Sequence, residues 1–418
     1  MEPLMNRRAF GALGLGTLAG LLSARLGLAE DVATSVGPTK GIIVLWLRGG
    51  PSQLETFDPK PGKRIGGPTR AITTSAKGIA IAHHLPQIAE QMQHLSLIRS
   101  VVGQEGDHER ASILMKTGRR PEVALSHPSL GAVCAHELDV AGTEIPRYVS
   151  ILSNDPTSRG GYLGQSYDPF RVGDPANPIQ DVTPNVGDAR QQRRLEALEV
   201  LENGFARERP EIDRRTLHRE RTERAIQTMS STQLEAFDVE QESRELRRAY
   251  GDHPFGRGCL AARRLLEVGV RCVEVALDGW DTHIDHFDKI DSLCRPLDSA
   301  LATLVKDLRD RGLWEHTLVF CGGEFGRTPR INGTDGRDHW PTGFSVVLGG
   351  GPLAGGALIG ETGIEATDDE PKDPVPVADV YATLLCGLGL DPATENMTSV
   401  GRPVKLSDGK PIERLLKA

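Results

Sequence analysis

An α/β protein with a mostly parallel central sheet flanked by helices is predicted from the sequence of this 418-residue chain. The first observation is a continuous apolar run at 41–47, which is typical of a strand buried on both faces of a parallel sheet. The second is the order of elements further along, where helical patterns at 258–268 and 293–311 alternate with apolar strands at 270–277 and 318–321. This alternation predicts right-handed parallel crossovers.

Shorter elements complete the expected domain. They are a helix at 85–94, strands at 95–99, 148–152 and 344–348, and an apolar helix at 380–387. The segment 188–250 is dense in Arg, Glu and Leu with hardly any Gly or Pro, and it predicts a charged helical insertion packed on the core. A partner-binding coiled coil is the less favoured interpretation of this segment, because no heptad repeat persists.

The first 29 residues have the pattern of a twin-arginine signal peptide. Arg7 and Arg8 precede a weakly apolar run that ends in small residues at 27–29. Residues 30–40 are then a linker, and 41–418 form a single domain that includes the insertion. We therefore expect export to the periplasm or the extracellular space, with no membrane span after cleavage. An uncleaved anchor is the alternative, although the run is short for a span of about 20 residues.

Composition limits the classes of partner. The formal net charge is −8 and aromatic residues make up 5% of the chain, so neither a basic surface nor a stacking platform for nucleic acid is expected. The six cysteines show no zinc-binding spacing, and buried thiols are the favoured interpretation. A disulfide between Cys259 and Cys294 stays open.

Ionisable side chains follow two of the predicted strands. Asp281 and His283 come after the strand at 270–277, and Glu324 comes after the strand at 318–321, with His339 a short loop later. Ligands bind at the carboxyl ends of strands in open α/β sheets, so these four residues are the predicted metal ligands. Zinc, manganese and calcium are the candidate divalent ions.

Each of these assignments has a structural alternative. Asp281 or Thr282 could cap the following helix, and Asp285 and His286 could supply the ligands instead. Glu324 could form only an ion pair with Arg327, and His339 could be a capped surface histidine.

Four further residues are candidates for catalysis. Ser52 and Thr56 follow the first strand and could supply a nucleophile, although an ordinary turn explains them equally well. Arg327 and Arg337 could bind an anionic substrate, because a guanidinium group grips phosphate or sulfate in a bidentate manner. His108 is a weaker candidate, as it could equally be a packing histidine.

Several rare motifs occur together along the chain. They are Gly49-Gly50-Pro51-Ser52, Gly279-Trp280-Asp281-Thr282-His283, Gly323-Glu324-Phe325-Gly326-Arg327-Thr328-Pro329 and Gly336-Arg337-Asp338-His339-Trp340. With the twin-arginine start, they resemble the exported, sulfatase-like family called domain of unknown function 1501, within the alkaline phosphatase superfamily. The resemblance covers nearly the whole chain.

The resemblance implies an alkaline phosphatase/sulfatase-like fold with metals at the carboxyl ends of the strands. By that analogy Asp281 and His283 belong to one metal site, and Glu324 and His339 look like further ligands. The chain departs from the superfamily where Arg48 follows the first strand in place of an Asp ligand, and where Phe325 replaces a second ligand.

Two functions follow as expectations. The first is an exported, metal-dependent hydrolase of phosphate or sulfate esters, acting on an anionic small-molecule or glycan ester. The alternative is a catalytically degenerate hydrolase scaffold that binds an acidic or sulfated glycan or an envelope partner.

Overall fold

The structure is a computed structural model that describes residues 41–138, 142–209, 211, 217–365 and 371–417. The predicted signal peptide and linker, 1–40, lie outside the described residues. A nine-stranded sheet forms the centre of the domain. Its strands are β1 (Gly41–Leu47), β4 (Leu95–Val102), β5 (Tyr148–Ile151), β6 (Phe170–Val172), β7 (Cys272–Leu277), β8 (Thr317–Gly322), β11 (Phe344–Gly350), β12 (Leu358–Ile359) and β13 (Val375–Pro376).

Three two-stranded sheets lie outside this central sheet in the described chain. They pair β2 (Ala71–Thr73) with β3 (Ala80–Ala82), β9 (Gly326–Arg327) with β10 (His339–Trp340), and β14 (Glu395–Met397) with β15 (Pro403–Lys405). The described α-helices are α1 (Pro86–Gln91), α2 (His108–Thr117), α3 (Leu130–Glu137), α4 (Asp188–Glu208), α5 (His218–Ser230), α6 (Arg244–Tyr250), α7 (Pro254–Glu267), α8 (His286–Asp310) and α9 (Val377–Gly387).

The strand order in the sheet is β12-β4-β11-β8-β1-β7-β5-β6, with β13 also paired to β4. Strands β8, β1, β7, β5 and β6 run parallel to one another. Strand β11 runs antiparallel to both of its neighbours, β8 and β4. Two antiparallel pairings in succession restore the direction, so β4 ends at the same edge as β1, β7 and β8. This edge carries the candidate site.

The sheet is a middle layer with a hydrophobic core on each face. Along the fully buried β1, Ile43, Leu45 and Leu47 join one core and Ile42, Val44 and Trp46 join the other, as the period of two in a strand requires. Helices α1, α7 and α8 pack against the first core, and α2, α3 and α9 pack against the second. Full burial of each large side chain contributes about 1.5–3 kcal/mol relative to exposure.

The predicted α/β architecture is therefore confirmed, and most predicted elements lie within a few residues of their expected positions. The largest difference is α8, which begins at His286 rather than at residue 293. The helix continues through Pro296, whereas proline is best suited to a first helical turn. None of the described helices is long and apolar enough to cross a membrane. All six cysteines are free, including Cys259 and Cys294.

Candidate metal centre

Loops from separate parts of the chain meet at the carboxyl edge of the sheet. His108 begins α2, one short loop after β4, and Asp281 and His283 follow β7. His339 lies on β10, which pairs with β9 just after the end of β8. Because all these strands end at one edge, residues distant in sequence become neighbours.

Three imidazole rings surround the carboxylate of Asp281. The Nε2 atoms of His283 and His339 lie 3.1 Å and 3.3 Å from Asp281 Oδ1, and His108 Nε2 lies 3.5 Å from Asp281 Oδ2. His283 Nε2 and His339 Nε2 are only 3.0 Å apart. One ligand atom from each of His108, Asp281 and His339 falls within 4.8 Å of the others, a spacing that a single cation can bridge.

The Nδ1 atom of each ring lies within hydrogen-bond distance of an acceptor. His339 Nδ1 lies 2.8 Å from the carbonyl of Gly106, and His283 Nδ1 lies 2.9 Å from Asp338 Oδ1. A carbonyl or a carboxylate can only accept, so each Nδ1 carries the proton and, in the neutral ring, Nε2 presents a lone pair. Metal-binding histidines are typically held in this way by a partner behind the ring.

His108 is held in the same way by Glu324. Oxygen Oε1 of Glu324 accepts from His108 Nδ1 at 2.7 Å and from the backbone N–H of Gly49 at 2.9 Å. The other oxygen, Oε2, is buried and has no hydrogen-bond partner among the described residues. Leaving a carboxylate oxygen buried without a partner is costly, so Oε2 offers an acceptor to a water molecule or a cation.

These donors fit a divalent metal. Three imidazoles with one or two carboxylates suit zinc, manganese or iron, whereas calcium prefers a shell of oxygen atoms. The hydrogen bond to Glu324 raises the pKa of His108, against the lowering effect of burial. Burial lowers the pKa of His339.

Arg327 holds Asp281 in its charged form. Burial alone would raise the pKa of Asp281, but the hydrogen bond and charge of Arg327 outweigh it and lower that pKa to about 2. The guanidinium NH2 lies 2.6 Å from Asp281 Oδ1, and the group also donates to the carbonyls of Gly49, Gly50 and Arg337. The alternative of an ion pair between Glu324 and Arg327 is therefore wrong, because Arg327 pairs with Asp281 and Glu324 with His108.

Gly49 is required by the close approach of two loops. Its φ angle is +112°, a conformation that residues with a side chain rarely adopt. A Cβ atom built there would lie 2.4 Å from the backbone nitrogen of Asp281. The glycine thus lets the loop after β1 pass against Asp281 while its N–H fixes Glu324.

Phe325 forms an apolar wall behind two of the imidazoles. Its ring centroid lies 4.5 Å from that of His339 and 4.9 Å from that of His108, and the side chain is fully buried. In the position where the resemblance implies a second ligand, this chain therefore packs and orients the ligand rings.

A buried polar hub, which we define as Glu55, His286, Thr282 and Arg337, lies beneath the candidate ligands. Glu55 Oε2 lies 2.8 Å from His286 Nε2, and Oε1 accepts from Arg337 at 2.7 Å. His286 Nδ1 lies 2.6 Å from the hydroxyl of Thr282, and Arg337 N donates to the carbonyl of Thr282 at 3.1 Å.

The buried hub connects both loops that carry ligands. Thr282 lies between Asp281 and His283 in the chain, and Arg337 lies two residues before His339. Glu55 therefore acts through its partners to position these ligands. The alternative role of Asp281 or Thr282 as a helix cap is wrong, because α8 begins at His286 without a side-chain cap bond.

The hub leads to a prediction about pH. Burial would raise the pKa of Glu55, but the hydrogen bonds and charges of His286 and Arg337 outweigh it and lower the pKa below the ordinary value of 4.5. Folding thus favours the charged carboxylate, which stabilises the fold fully above pH 4.5 and less as the pH falls through the folded pKa. We expect the free energy of unfolding to fall on acidification, and to fall less in Glu55→Gln, which cannot titrate.

Urea unfolding between about pH 7 and about pH 3.5 measures this difference. Glu90→Gln, an exposed glutamate on α1, serves as the control and should follow the unmodified chain. Parallel curves for Glu55→Gln and the unmodified chain would contradict the prediction.

The four residues predicted for catalysis are placed inside the protein. Ser52 is 1% exposed and donates to Glu55 Oε2, and the hydroxyl of Thr56 donates to the carbonyl of Ser52 at 2.7 Å. Arg327 and Arg337 are both 0% exposed. Arg337 donates to the carbonyls of Thr328, Pro329 and Ile65 as well as to Glu55.

The catalytic roles of these four residues stay predictions, and their positions favour a different role. A fully buried guanidinium group has no free face for an external anion, although Arg337 Nε has no hydrogen-bond partner among the described residues. A hydroxyl that donates to a buried carboxylate or carbonyl is not presented to a substrate. The contacts of Arg327 and Arg337 hold the ligand loops in place instead.

An open cleft of about 490 Å³ lies beside the ligands. Its walls include His108, Asp281 and Glu324, together with Arg48 at the end of β1 and Asp278 at the end of β7. The side chain of Arg48 is 50% exposed and lies 3.5 Å from Asp278, so it can reorient toward a ligand. Arg48 is therefore the exposed guanidinium that the cleft offers to an anion.

One protein-family model matches nearly the whole chain. The model of the family described as "Protein of unknown function (DUF1501)" matches residues 39–416. The chain belongs to this family. The match confirms at the family level the resemblance expected from the sequence motifs. No curated protein matches the chain.

Several solved structures are similar to this member of the family at low sequence identity. The PsFucS1 sulfatase from Pseudoalteromonas sp. has a TM-score of 0.41 at 12% identity, with 86% of this chain and 70% of that chain covered. A protein in the alkaline phosphatase superfamily from Vibrio parahaemolyticus has a TM-score of 0.36 at 11% identity, with 91% and 71% covered.

The periplasmic domain of EcEptC from Escherichia coli, solved in complex with zinc, has a TM-score of 0.35 at 11% identity, with 76% and 74% covered. With TM-scores below 0.5, these three similarities say nothing about the chemistry of the present site.

Proposed function

We propose that this member of the family is a metal-dependent hydrolase of phosphate or sulfate esters. The observation that carries the proposal is the convergence of three Nε2 atoms on Asp281, with each Nδ1 held by an acceptor behind the ring. Such a set is preorganised to receive a cation at the wall of an open cleft. His108, Asp281, His283 and His339 would hold the metal, with Glu324 behind the ring of His108 as the acceptor of its Nδ1 proton.

A bound divalent ion would supply Lewis acidity, polarising an ester oxygen and lowering the pKa of a water molecule. The protein's own residues have separate tasks. Arg327 keeps Asp281 charged, and Glu324 keeps the lone pair of His108 directed at the centre. Phe325 packs against the rings of His108 and His339.

The charge of the cleft explains why the proposed metal and Arg48 would act together. Asp155, Asp278, Asp281, Glu109 and Glu324 all line the cleft and would repel an anionic ester. A cation held by the histidines would reverse this local field, and Arg48 would bind the anionic group from the β1 side. Metal is thus expected to be needed for substrate binding as well as for turnover.

Hydrolysis by the purified chain tests the proposal directly. The chain is loaded in turn with zinc, manganese and iron(II) and assayed with para-nitrophenyl phosphate and para-nitrophenyl sulfate, before and after chelation. We expect turnover that chelation removes and that one of these metals restores. Stoichiometric metal without turnover of either ester would overturn the hydrolase proposal while leaving the metal centre intact.

The alternative function, a binding protein on this scaffold, is favoured by one observation. Ser52 and Thr56 direct their hydroxyls into the protein, so neither is presented as a nucleophile in the cleft. The ligand would then be an acidic or sulfated glycan held by the same metal and Arg48. Metal-dependent binding of a sulfated oligosaccharide by a chain without esterase activity would favour this function.

Arg48→Ala provides a prediction for the substrate-binding step. Loss of a charge-assisted contact from a half-exposed arginine is expected to raise KM for the anionic ester about tenfold and to change kcat much less. Steady-state kinetics with both esters measures the effect. Arg295→Ala, which removes an exposed arginine of α8, is the matched control. An unchanged KM in Arg48→Ala would contradict this role.

Export stays a prediction from the twin arginines, Arg7 and Arg8. It would place the activity outside the cytoplasm. Fractionation of cells that carry the Arg7→Lys/Arg8→Lys variant tests it, because loss of both arginines should retain the chain in the cytoplasm if the route is used.

A further inference from the structure

A helical hairpin in the charged insertion is packed unlike the rest of the domain. Helices α4 and α5 are 21 and 13 residues long, and no residue of either helix, all of which the structure describes, is buried. Side-chain contacts hold the hairpin together, with His218 Nδ1 2.8 Å from Glu202 and Arg219 donating to Asn203 at 3.1 Å. By contrast, α7 and α8 bury many side chains in the core.

An apolar stripe runs along the exposed side of α4. It consists of Ala197, Val200, Leu201, Gly204 and Phe205, which we call the α4 stripe. Their spacing of i, i+3, i+4, i+7 and i+8 is that of one helix face. Val200 is 71% exposed, Leu201 is 70% exposed and Phe205 is 38% exposed. Large apolar side chains that share one exposed helix face indicate a contact surface rather than scattered exposure.

The stripe is distinct from the face that packs within the chain. Leu195, Leu198 and Glu202 are partly buried and follow one another at helical spacing on a different side of α4. At 100° per residue, that side is about 120° from the centre of the α4 stripe. The contacts between α4 and α5 therefore leave the stripe uncovered.

The residues at the two ends of the stripe have opposite charges. Arg194 lies seven residues before Leu201 and Glu208 lies seven residues after it, so both fall on the same helix face as the stripe. Neither Arg194 nor Glu208 lies on the partly buried side. From the N-terminal to the C-terminal end of α4, this helix face is therefore first basic, then apolar and then acidic.

We propose that the α4 stripe binds the same stripe of a second copy of this chain, with the two helices antiparallel and the two-fold axis at Leu201. In an antiparallel pairing about this residue, Arg194 of each copy lies opposite Glu208 of the other, so the interface contains two such ion pairs. The pairing also sets the small Ala197 of each copy opposite the large Phe205 of the other. A two-fold contact must be self-complementary in charge and in size, and this face is both.

This pattern favours a second copy over a membrane surface. A helix that lies on a membrane usually carries Lys and Arg along its polar face. Here Glu196, Glu199 and Glu202 follow one another without an arginine between them, and Glu208 lies at the end of the stripe. An anionic membrane would attract such a helix poorly. The proposal does not depend on the proposed hydrolase activity.

The test is the molar mass of the full purified chain across a range of concentrations, by sedimentation equilibrium. A stripe of this length is smaller than a standard interface, so we expect a dimer with a Kd on the order of micromolar. Leu201→Glu places two carboxylates at the axis and is expected to raise the Kd roughly 30-fold or more. Glu199→Arg, on the opposite side of α4, is the matched control and should leave the Kd unchanged.

Charge exchange tests the antiparallel register. Arg194→Glu alone and Glu208→Arg alone each create two like-charge contacts and should each raise the Kd about tenfold. Mixing the two single variants should restore association as a heterodimer, and the double variant should restore the homodimer. A merely structural role for either residue would not produce this rescue. Circular dichroism and metal content confirm that each variant is folded.

Two outcomes would overturn the pairing of the two stripes. The first is a chain that stays monomeric at all concentrations, which would leave the stripe to a different partner or to a membrane. The second is a dimer that Leu201→Glu does not weaken, because its interface would then lie elsewhere. Failure of the charge rescue in a dimer that Leu201→Glu does weaken would overturn the antiparallel register.

Discussion

Asp281→Asn is expected to lower the affinity for the divalent metal by about 100-fold or more and to abolish metal-dependent ester hydrolysis. The substitution keeps the shape of the side chain and an oxygen that can accept from Arg327, so the loop should keep its position. It removes the negative charge on which three imidazoles converge. Loss of an outer-shell partner alone typically costs 10–100-fold in affinity, so loss of a direct carboxylate ligand should cost at least as much.

Titration calorimetry with zinc and manganese, together with elemental analysis, measures this effect. Asp278→Asn is a close control, because it removes the same charge from the same cleft at a residue that contacts Arg48. We expect that variant to keep its metal. Near-stoichiometric metal in Asp281→Asn, at an affinity equal to that of the control, would refute the metal centre as described.

Glu55→Ala is expected to lower the free energy of unfolding by about 3–5 kcal/mol, the usual effect of removing one partner from a buried ion pair. Glu55 and its partners Arg337 and His286 are 0% exposed, so water cannot replace the lost carboxylate. Arg337 would retain its carbonyl acceptors but would lose its counter-charge. The ligand loops at 281–283 and 337–339 would lose their shared anchor.

Urea unfolding at neutral pH gives the change in stability, and metal titration gives the change in positioning. Glu90→Ala, at an exposed site on α1, should change stability by no more than about 0.5 kcal/mol. Glu55→Gln separates the two roles, because it keeps the packing while weakening the bonds to the hub. If Glu55→Gln is folded but binds metal as tightly as the unmodified chain, the positioning role is wrong.

The central strands could be predicted from the sequence because their burial makes them locally distinctive. β1, β7 and β8 are buried in the middle of the sheet and form nearly continuous apolar runs. Asp281 and His283 then follow from the rule that ligands lie at the carboxyl ends of strands. The structure brings both side chains close to His339, and their role as ligands stays a prediction.

The place of His108 could not be predicted in the same way. It joins the site because β11 runs antiparallel to β8 and β4, and strand direction in a long-range pairing leaves no local signal. The local sequence around His108 suits a packing histidine equally well. The burial of Arg327 and Arg337 could not be predicted either, because their acceptors are mostly main-chain carbonyls, which any residue type can supply.

The wide separation of the candidate ligands along the chain also bears on the lifetime of the folded protein. Residues 108, 281, 283 and 339 meet only after strands from both halves of the chain have paired, so the unfolded chain offers no ordered set of donors. An ion that binds this set therefore binds the native state alone, and each tenfold excess of free ion over its Kd adds about 1.4 kcal/mol to the stability of the fold. The local supply of metal would then govern the lifetime of the protein against unfolding and proteolysis, in addition to its chemistry.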